Sequence, residues 1–182
     1  MRNLFHFANL AKTSWQEAVK LFYSPGFAGI LTGSDAQYAD DYRALSVYEG
    51  SEQNMEEILI RVNKKQKAEF LIQEDQLVFE TARNSGAYAV AEREITVVRN
   101  GWGYTCLFVE CSGDFLFTEK EVLTDDDFLG NHCALPVFID ENLCRDGKNY
   151  GRIFLYNAFV SLDIPVTVRI GDGSLRNPQE VT

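Results

Sequence analysis

The sequence predicts an α+β chain: a small N-terminal helical region over residues 1–63, then an antiparallel β-sandwich over 66–171, then a flexible tail over 172–182. Two observations carry this expectation. Apolar residues recur at helical spacing from Met1 to about Asn63, and alternate in strand fashion from about Lys67 to Ile170. Turn signals punctuate the second half, and no helix-sized segment alternates with the strands, so a parallel α/β sheet is not expected.

In the helical region each stripe has a start and a stop. Leu4, Phe7, Ala8 and Ala11 share one face. Thr13, with Gln16 three residues on, has the spacing of a capping box for a second helix. Trp15, Ala18, Val19, Phe22 and Tyr23 form its apolar stripe, which Ser24-Pro25-Gly26 breaks. Phe27, Ile30 and Leu31 suggest a further short turn. Gly33-Ser34-Asp35 opens a segment in which Tyr38, Tyr42 and Leu45 recur. Glu49-Gly50-Ser51 is the next stop and cap, before the stripe Met55, Ile58, Leu59 and Val62. The basic run Arg61, Lys64, Lys65 and Lys67 reads as a solvated linker.

Strands are expected near 68–73, 76–81, 93–99, 102–110, 115–122, 134–140, 151–156 and 159–170. Asn100-Gly101 is the strongest hairpin signal, joining the third and fourth of these. Asp146-Gly147 is a second turn. Pro165 demotes the last segment to an edge strand or marks a bulge. Short strands at this spacing suit an immunoglobulin-like antiparallel β-sandwich, with a small barrel as the alternative.

Composition narrows the function. The chain has 182 residues, 46% of them hydrophobic and 24% charged, which is ordinary for a folded globular chain. Twenty-seven acidic against seventeen basic side chains give a net charge of −10, which opposes nucleic acid and anionic membrane. The longest apolar run, Cys133 to Ile139, is far short of the roughly 20 residues needed to cross a bilayer. Met1 to Leu10 lacks the pattern of a signal peptide, and no N-x-[ST] sequon occurs, so a cytoplasmic setting is slightly favoured.

No catalytic motif emerges. Gly101-Trp102-Gly103 has Cys106 where a dinucleotide loop needs its third glycine. His6 and His132 are the two imidazoles; His132 and Cys133 are adjacent, so an extended chain points them to opposite sides. Glu80, Glu94 and Glu110 are expected on a solvated strand face rather than as a hydrolytic pair. Asp125, Asp127 and Gly130 match three positions of a calcium loop, but Leu129 and Pro136 stand where oxygen ligands belong. An acidic loop capped by Thr124 or Asp125 is expected there instead. Cys106, Cys111, Cys133 and Cys144 have no zinc-site spacing and read as free thiols. No cofactor or metal is expected. The candidate ligand-binding residues are Trp102, Tyr104 and Tyr150, aromatics that can stack on a sugar or anchor a protein partner. Trp102, just after the expected hairpin turn, should be the most exposed.

Several ordered motifs resemble an uncharacterised family of very large bacterial multidomain proteins. They are Arg2-Asn3-Leu4-Phe5-His6-Phe7-Ala8-Asn9-Leu10-Ala11, Trp15-Gln16-Glu17-Ala18-Val19-Lys20-Leu21-Phe22 and Tyr42-Arg43-Ala44-Leu45-Ser46. In the second half they are Arg99-Asn100-Gly101-Trp102-Gly103-Tyr104, Thr124-Asp125-Asp126-Asp127-Phe128-Leu129-Gly130 and Asn149-Tyr150-Gly151-Arg152-Ile153. The resemblance implies immunoglobulin-like modules near the N-terminus of a much longer chain, and that this chain is an internal fragment of it. It brings no activity and no catalytic residue.

The resulting expectation is a non-catalytic structural or protein-interaction module, its partner another protein or neighbouring domains of the same chain. The alternative is a carbohydrate-binding β-sandwich with a glycan ligand. An enzyme would need a pocket around His132, Cys133 and the 125–127 aspartates.

Overall fold

The computed structural model describes residues 3–82 and 90–171. The tail expected over 172–182 lies outside the described residues. The chain divides into two compact units. The first is Met1–Glu69 with Asn100–Thr105; the second is Phe70–Arg99 with Cys106–Thr182.

The first unit is helical: α1 (Leu4–Thr13), α2 (Trp15–Phe22), α3 (Ala39–Leu45) and α4 (Glu52–Arg61). Short 3₁₀ segments at Phe27–Ile30 and Gly33–Tyr38 link α2 to α3. Asn3 starts α1, its Oδ1 accepting from His6 N at 3.0 Å. Ser51 starts α4 in the same way, accepting from Asn54 N at 3.1 Å. Thr13 does not cap α2. It is the last residue of α1, and its hydroxyl donates back to Asn9 O at 3.1 Å. With one residue between the two helices, that hydroxyl is already engaged when α2 begins. The predicted stripes are the buried faces: Leu4, Phe7, Ala8 and Ala11 on α1, Trp15, Ala18, Val19 and Phe22 on α2, and Met55, Ile58 and Leu59 on α4. Phe27 packs at 4.8 Å against both Phe7 and Tyr42, ring centre to ring centre. The Tyr42 hydroxyl donates to Phe22 O at 2.9 Å, so its polar end is satisfied while its half-buried ring packs on the core.

The second unit holds nine strands: β1 (Glu69–Ile72), β2 (Leu77–Ala82), β3 (Val90–Asn100), β4 (Cys106–Ser112), β5 (Leu116–Phe117), β6 (Val122–Thr124), β7 (His132–Asp140), β8 (Gly147–Tyr156) and β9 (Ser161–Gly171). They form a four-stranded sheet, β1-β3-β7-β5, and a five-stranded sheet, β2-β9-β8-β4-β6. Inward residues of both sheets share one apolar cluster, including Ile95 and Val97 of β3, Leu135 and Val137 of β7, Leu107 of β4, Ile153 and Leu155 of β8, and Val166 and Val168 of β9. Each such fully buried side chain contributes about 1.5–3 kcal/mol relative to leaving it in water.

Three strand expectations change. Asn100-Gly101 does not close a hairpin: β3 pairs with β7 and β4 pairs with β8, in different sheets. Gly101 does adopt positive φ (+130°), but the chain then passes from one sheet to the other, and strand structure resumes only at Cys106. The segment expected over 115–122 splits, β5 joining β7 and β6 joining β4. The five-stranded sheet is mixed, because β2 runs parallel to β9 from Leu77 opposite Val166. Alternation reports which side chains are buried and carries no information on a neighbour's direction. Pro165 lies inside the sheet, yet in a position an edge would tolerate. It faces Arg152 of β8, and β2 begins pairing one residue later, at Val166.

Candidate functional site

Trp102 and Tyr104 belong to the first unit and Tyr150 to the second. Trp102 is half-buried, against the expectation that it would be the most exposed of the three. It and Tyr104 pack onto the helical core, and Trp102 meets Trp15 edge-on with ring centres 6.0 Å apart. Two glycines permit this. A Cβ on Gly101 would lie 2.9 Å from the Ala68 backbone, and one on Gly103 would lie 2.9 Å from the Trp15 ring.

The basic run is not a solvated linker throughout. The Lys65 side chain is fully buried, its Nζ 2.6 Å from Glu56 Oε1. That ammonium also donates to Gln66 O at 2.9 Å and lies 4.9 Å from the centre of the Trp102 ring. Burial pushes the Glu56 carboxyl above the ordinary carboxylate range, and the hydrogen bond and charge of Lys65 draw it part of the way back. The available signal was Glu56 itself, a carboxylate directly after Met55 on the buried side of α4. Beside this pair, Asn63, Lys64, Lys65, Gln66, Lys67, Glu69, Asn100, Gly101 and Trp102 line a hollow of about 430 Å³.

In the second unit Tyr150 is 68% exposed, on the outward side of β8. It lines a hollow of about 330 Å³ with Asp114, Phe115, Leu143 and Arg145. Asn149 beneath it is structural: its side chain accepts from Arg145 N at 2.9 Å and donates to Arg145 O at 2.8 Å. Further along the same sheet face, Val122, Phe108 and Tyr156 occupy facing register positions on β6, β4 and β8. Phe108 is 46% exposed and its ring centre lies 5.7 Å from that of Tyr156.

Several of the polar groups weighed for catalysis are engaged in the fold, and others stand apart on exposed strand faces. His132 is exposed and Cys133 buried, on opposite faces of β7. Asp125 pairs with the buried Arg99 at 2.7 Å, and Arg99 stacks on Phe128. Asp127 pairs with Lys120 at 2.8 Å and accepts from Thr124 N, forming the expected capped turn. Glu80, Glu94 and Glu110 are exposed, and Glu110 accepts from the Tyr156 hydroxyl. Cys106, Cys111 and Cys133 are free thiols. Among the described residues no group of three or more potential ligands is placed to hold a metal ion, and no helix is long and apolar enough to cross a membrane.

These features define an α+β protein with a helical unit and a two-sheet unit, whose surface offers hollows and aromatic side chains. The chain belongs to the family of unknown function DUF5717, matching its N-terminal description over residues 1–181. No curated protein matches its sequence. Among solved structures it is similar to a FixG-related protein from Vibrio parahaemolyticus (8% identity, TM-score 0.38, 58% of this chain and 97% of that one). It is also similar to the titin M3 domain (13%, 0.32, 56% and 96%). A third likeness is to a family 123 glycoside hydrolase from Clostridium perfringens (7%, 0.36, 59% of this chain and 27% of the enzyme).

Proposed function

We propose that the chain is a non-catalytic protein-interaction module of a larger bacterial protein, with an immunoglobulin-like second unit. The observation that carries this is the outward row Val122, Phe108 and Tyr156 across three neighbouring strands. Water-facing positions of a sheet ordinarily hold polar side chains, and adjoining apolar ones mark a surface that another protein covers. The family's N-terminal description supports a longer parent chain. The free thiols suit a reducing compartment such as the cytoplasm.

The test is capture from lysates of the source cells, with quantitative mass spectrometry and a heat-unfolded control. A partner held by the native chain and depleted about tenfold by Phe108→Glu supports the reading. Partners that the variant retains unchanged refute it. The second reading, a glycan-binding module, is favoured by Tyr150, whose exposed ring adjoins Asp114 and Arg145. It requires polysaccharide binding that Tyr150→Ala abolishes.

A further inference from the structure

We propose that the outward face of the four-stranded sheet docks an extended protein segment that carries arginines at alternate positions. Alternation assigns the face. Leu116, Val137, Ile139 and Ile95 point into the core, so their neighbours Phe117, Phe138 and Glu94 point to water, with Glu92 on the same side as Glu94. Phe117 of β5 and Glu92 of β3 both face Phe138 of β7, one from either side, and Glu94 faces Pro136. The two phenyl rings stack, with 5.3 Å between centres and 18° between planes, and Phe117 is 40% exposed. A stacked phenyl pair on the water-facing side departs from the polar-out alternation of an antiparallel sheet. This face is on the other sheet from the Phe108 row and does not depend on it.

Charge sets the sign of the partner. From Glu92 to Val98 on β3, from His132 to Phe138 on β7 and at Phe117 on β5, the outward positions hold two carboxylates and no lysine or arginine. Arg93 stands between Glu92 and Glu94 in sequence, and so on the other side of the strand. Among the described residues neither carboxylate is in an ion pair, so both charges remain for a partner. Two residues of strand separate them by roughly 7 Å, the repeat of alternate side chains on another extended chain. Arginine fits better than lysine. Facing residues of an antiparallel pair stand about 5 Å apart, so a planar guanidinium lying on the Phe138 or Phe117 ring still reaches the Glu92 carboxylate with its fork.

The experiment is a ¹⁵N NMR titration of the whole chain at constant ionic strength with two capped hexapeptides of equal charge. One alternates threonine and arginine; the other has three threonines followed by three arginines. The expected result is a saturable shift of the amides at 92–98, 116–117 and 134–138, with the alternating peptide bound several-fold more tightly. Glu92→Gln/Glu94→Gln should weaken it at least about tenfold, and Phe117→Ala about fivefold. Glu17→Gln/Glu80→Gln, which removes two exposed carboxylates elsewhere, should leave it unchanged. No saturable shift overturns the proposal. So does equal binding of the two peptides or equal weakening by the two double variants, either of which marks diffuse attraction to an acidic chain. Shifts of the same amides that grow with protein concentration in the absence of peptide would place a second copy on this face and overturn it too.

Discussion

Replacing Lys65 by methionine keeps the length of the side chain beside Trp102 and removes its charge. Glu56, whose side chain is 10% exposed, then has no counter-ion at 2.6 Å. Breaking one partner of a buried pair costs about 3–5 kcal/mol, because the remaining charge stays out of water. Glu56→Gln should cost less, since the amide oxygen still accepts from the ammonium, which also keeps Gln66 O and the Trp102 ring. Glu56→Leu/Lys65→Met should fall within about 1 kcal/mol of the parent, because no charge remains to desolvate. The pH dependence has a definite sign. Burial raises the Glu56 pKa in the folded chain, and removing Lys65 leaves only the charge of Lys67 to oppose that push. A raised folded pKa means the fold prefers the protonated carboxyl. The stability of Lys65→Met should therefore be greatest below the ordinary carboxylate value of 4.5 and fall as pH rises through the elevated one. Urea unfolding followed by tryptophan fluorescence is the assay. The chain has two tryptophans, and Trp15 and Trp102 both report on the first unit. A Lys65→Met variant within about 0.5 kcal/mol of the parent at pH 7, or with a penalty flat in pH, would refute the buried-pair argument.

Three further outcomes follow from the second unit. A Cβ at Gly151 would lie 2.7 Å from Ser112 O, a backbone atom with little room to yield, so Gly151→Ala should lose about 1–3 kcal/mol in urea unfolding followed by far-UV circular dichroism; parent-like stability would remove that steric claim. Burial pushes the Asp127 carboxyl up, but hydrogen bonds from Lys120 and the Thr124 amide, with the Lys120 charge, hold it below the usual range overall. That contribution is present above the ordinary carboxylate value and lost as pH falls through the lowered one, so Asp127→Asn should lose less stability between pH 5 and pH 2 than the parent does. Burial pushes the Cys111 and Cys133 thiols up, Cys133 with further help from Asp127, so both should react with a disulfide reagent at pH 7.5 far more slowly in the folded than in the urea-unfolded chain. Equal rates would show that they are open to solvent.

Where a prediction rested on one side chain's burial or on one local hydrogen bond, the sequence was informative. Met55, Ile58 and Leu59 face the core because residues three and four apart share a helix face. Ser51 caps α4 because its hydroxyl reaches Asn54 N without help from the rest of the chain. Partner choice was not legible. Asn100-Gly101 specifies positive φ, but whether the next strand folds back or crosses to another sheet depends on where β7 and β8 lie, more than 30 residues away. Lys65 was hidden for a similar reason. In a run of lysines nothing local distinguishes the one whose stem is buried, and its partner Glu56 and its cover Trp102 come from elsewhere in the chain. Of the candidate site residues, Tyr150 alone kept the exposure that stacking on a ligand needs.

The buried cations Lys65 and Arg99 serve to hold the fold together. Arg99 with Asp125, Lys120 with Asp127 and Lys65 with Glu56 each pin a loop or turn to its own unit. A carboxylate so engaged is a poor general base, because its lone pairs and charge are already committed. The second unit also presents an outward apolar row centred on Phe108. That row is the surface on which the proposed association rests. It would lose its partner to a charge at position 108 and be insensitive to salt.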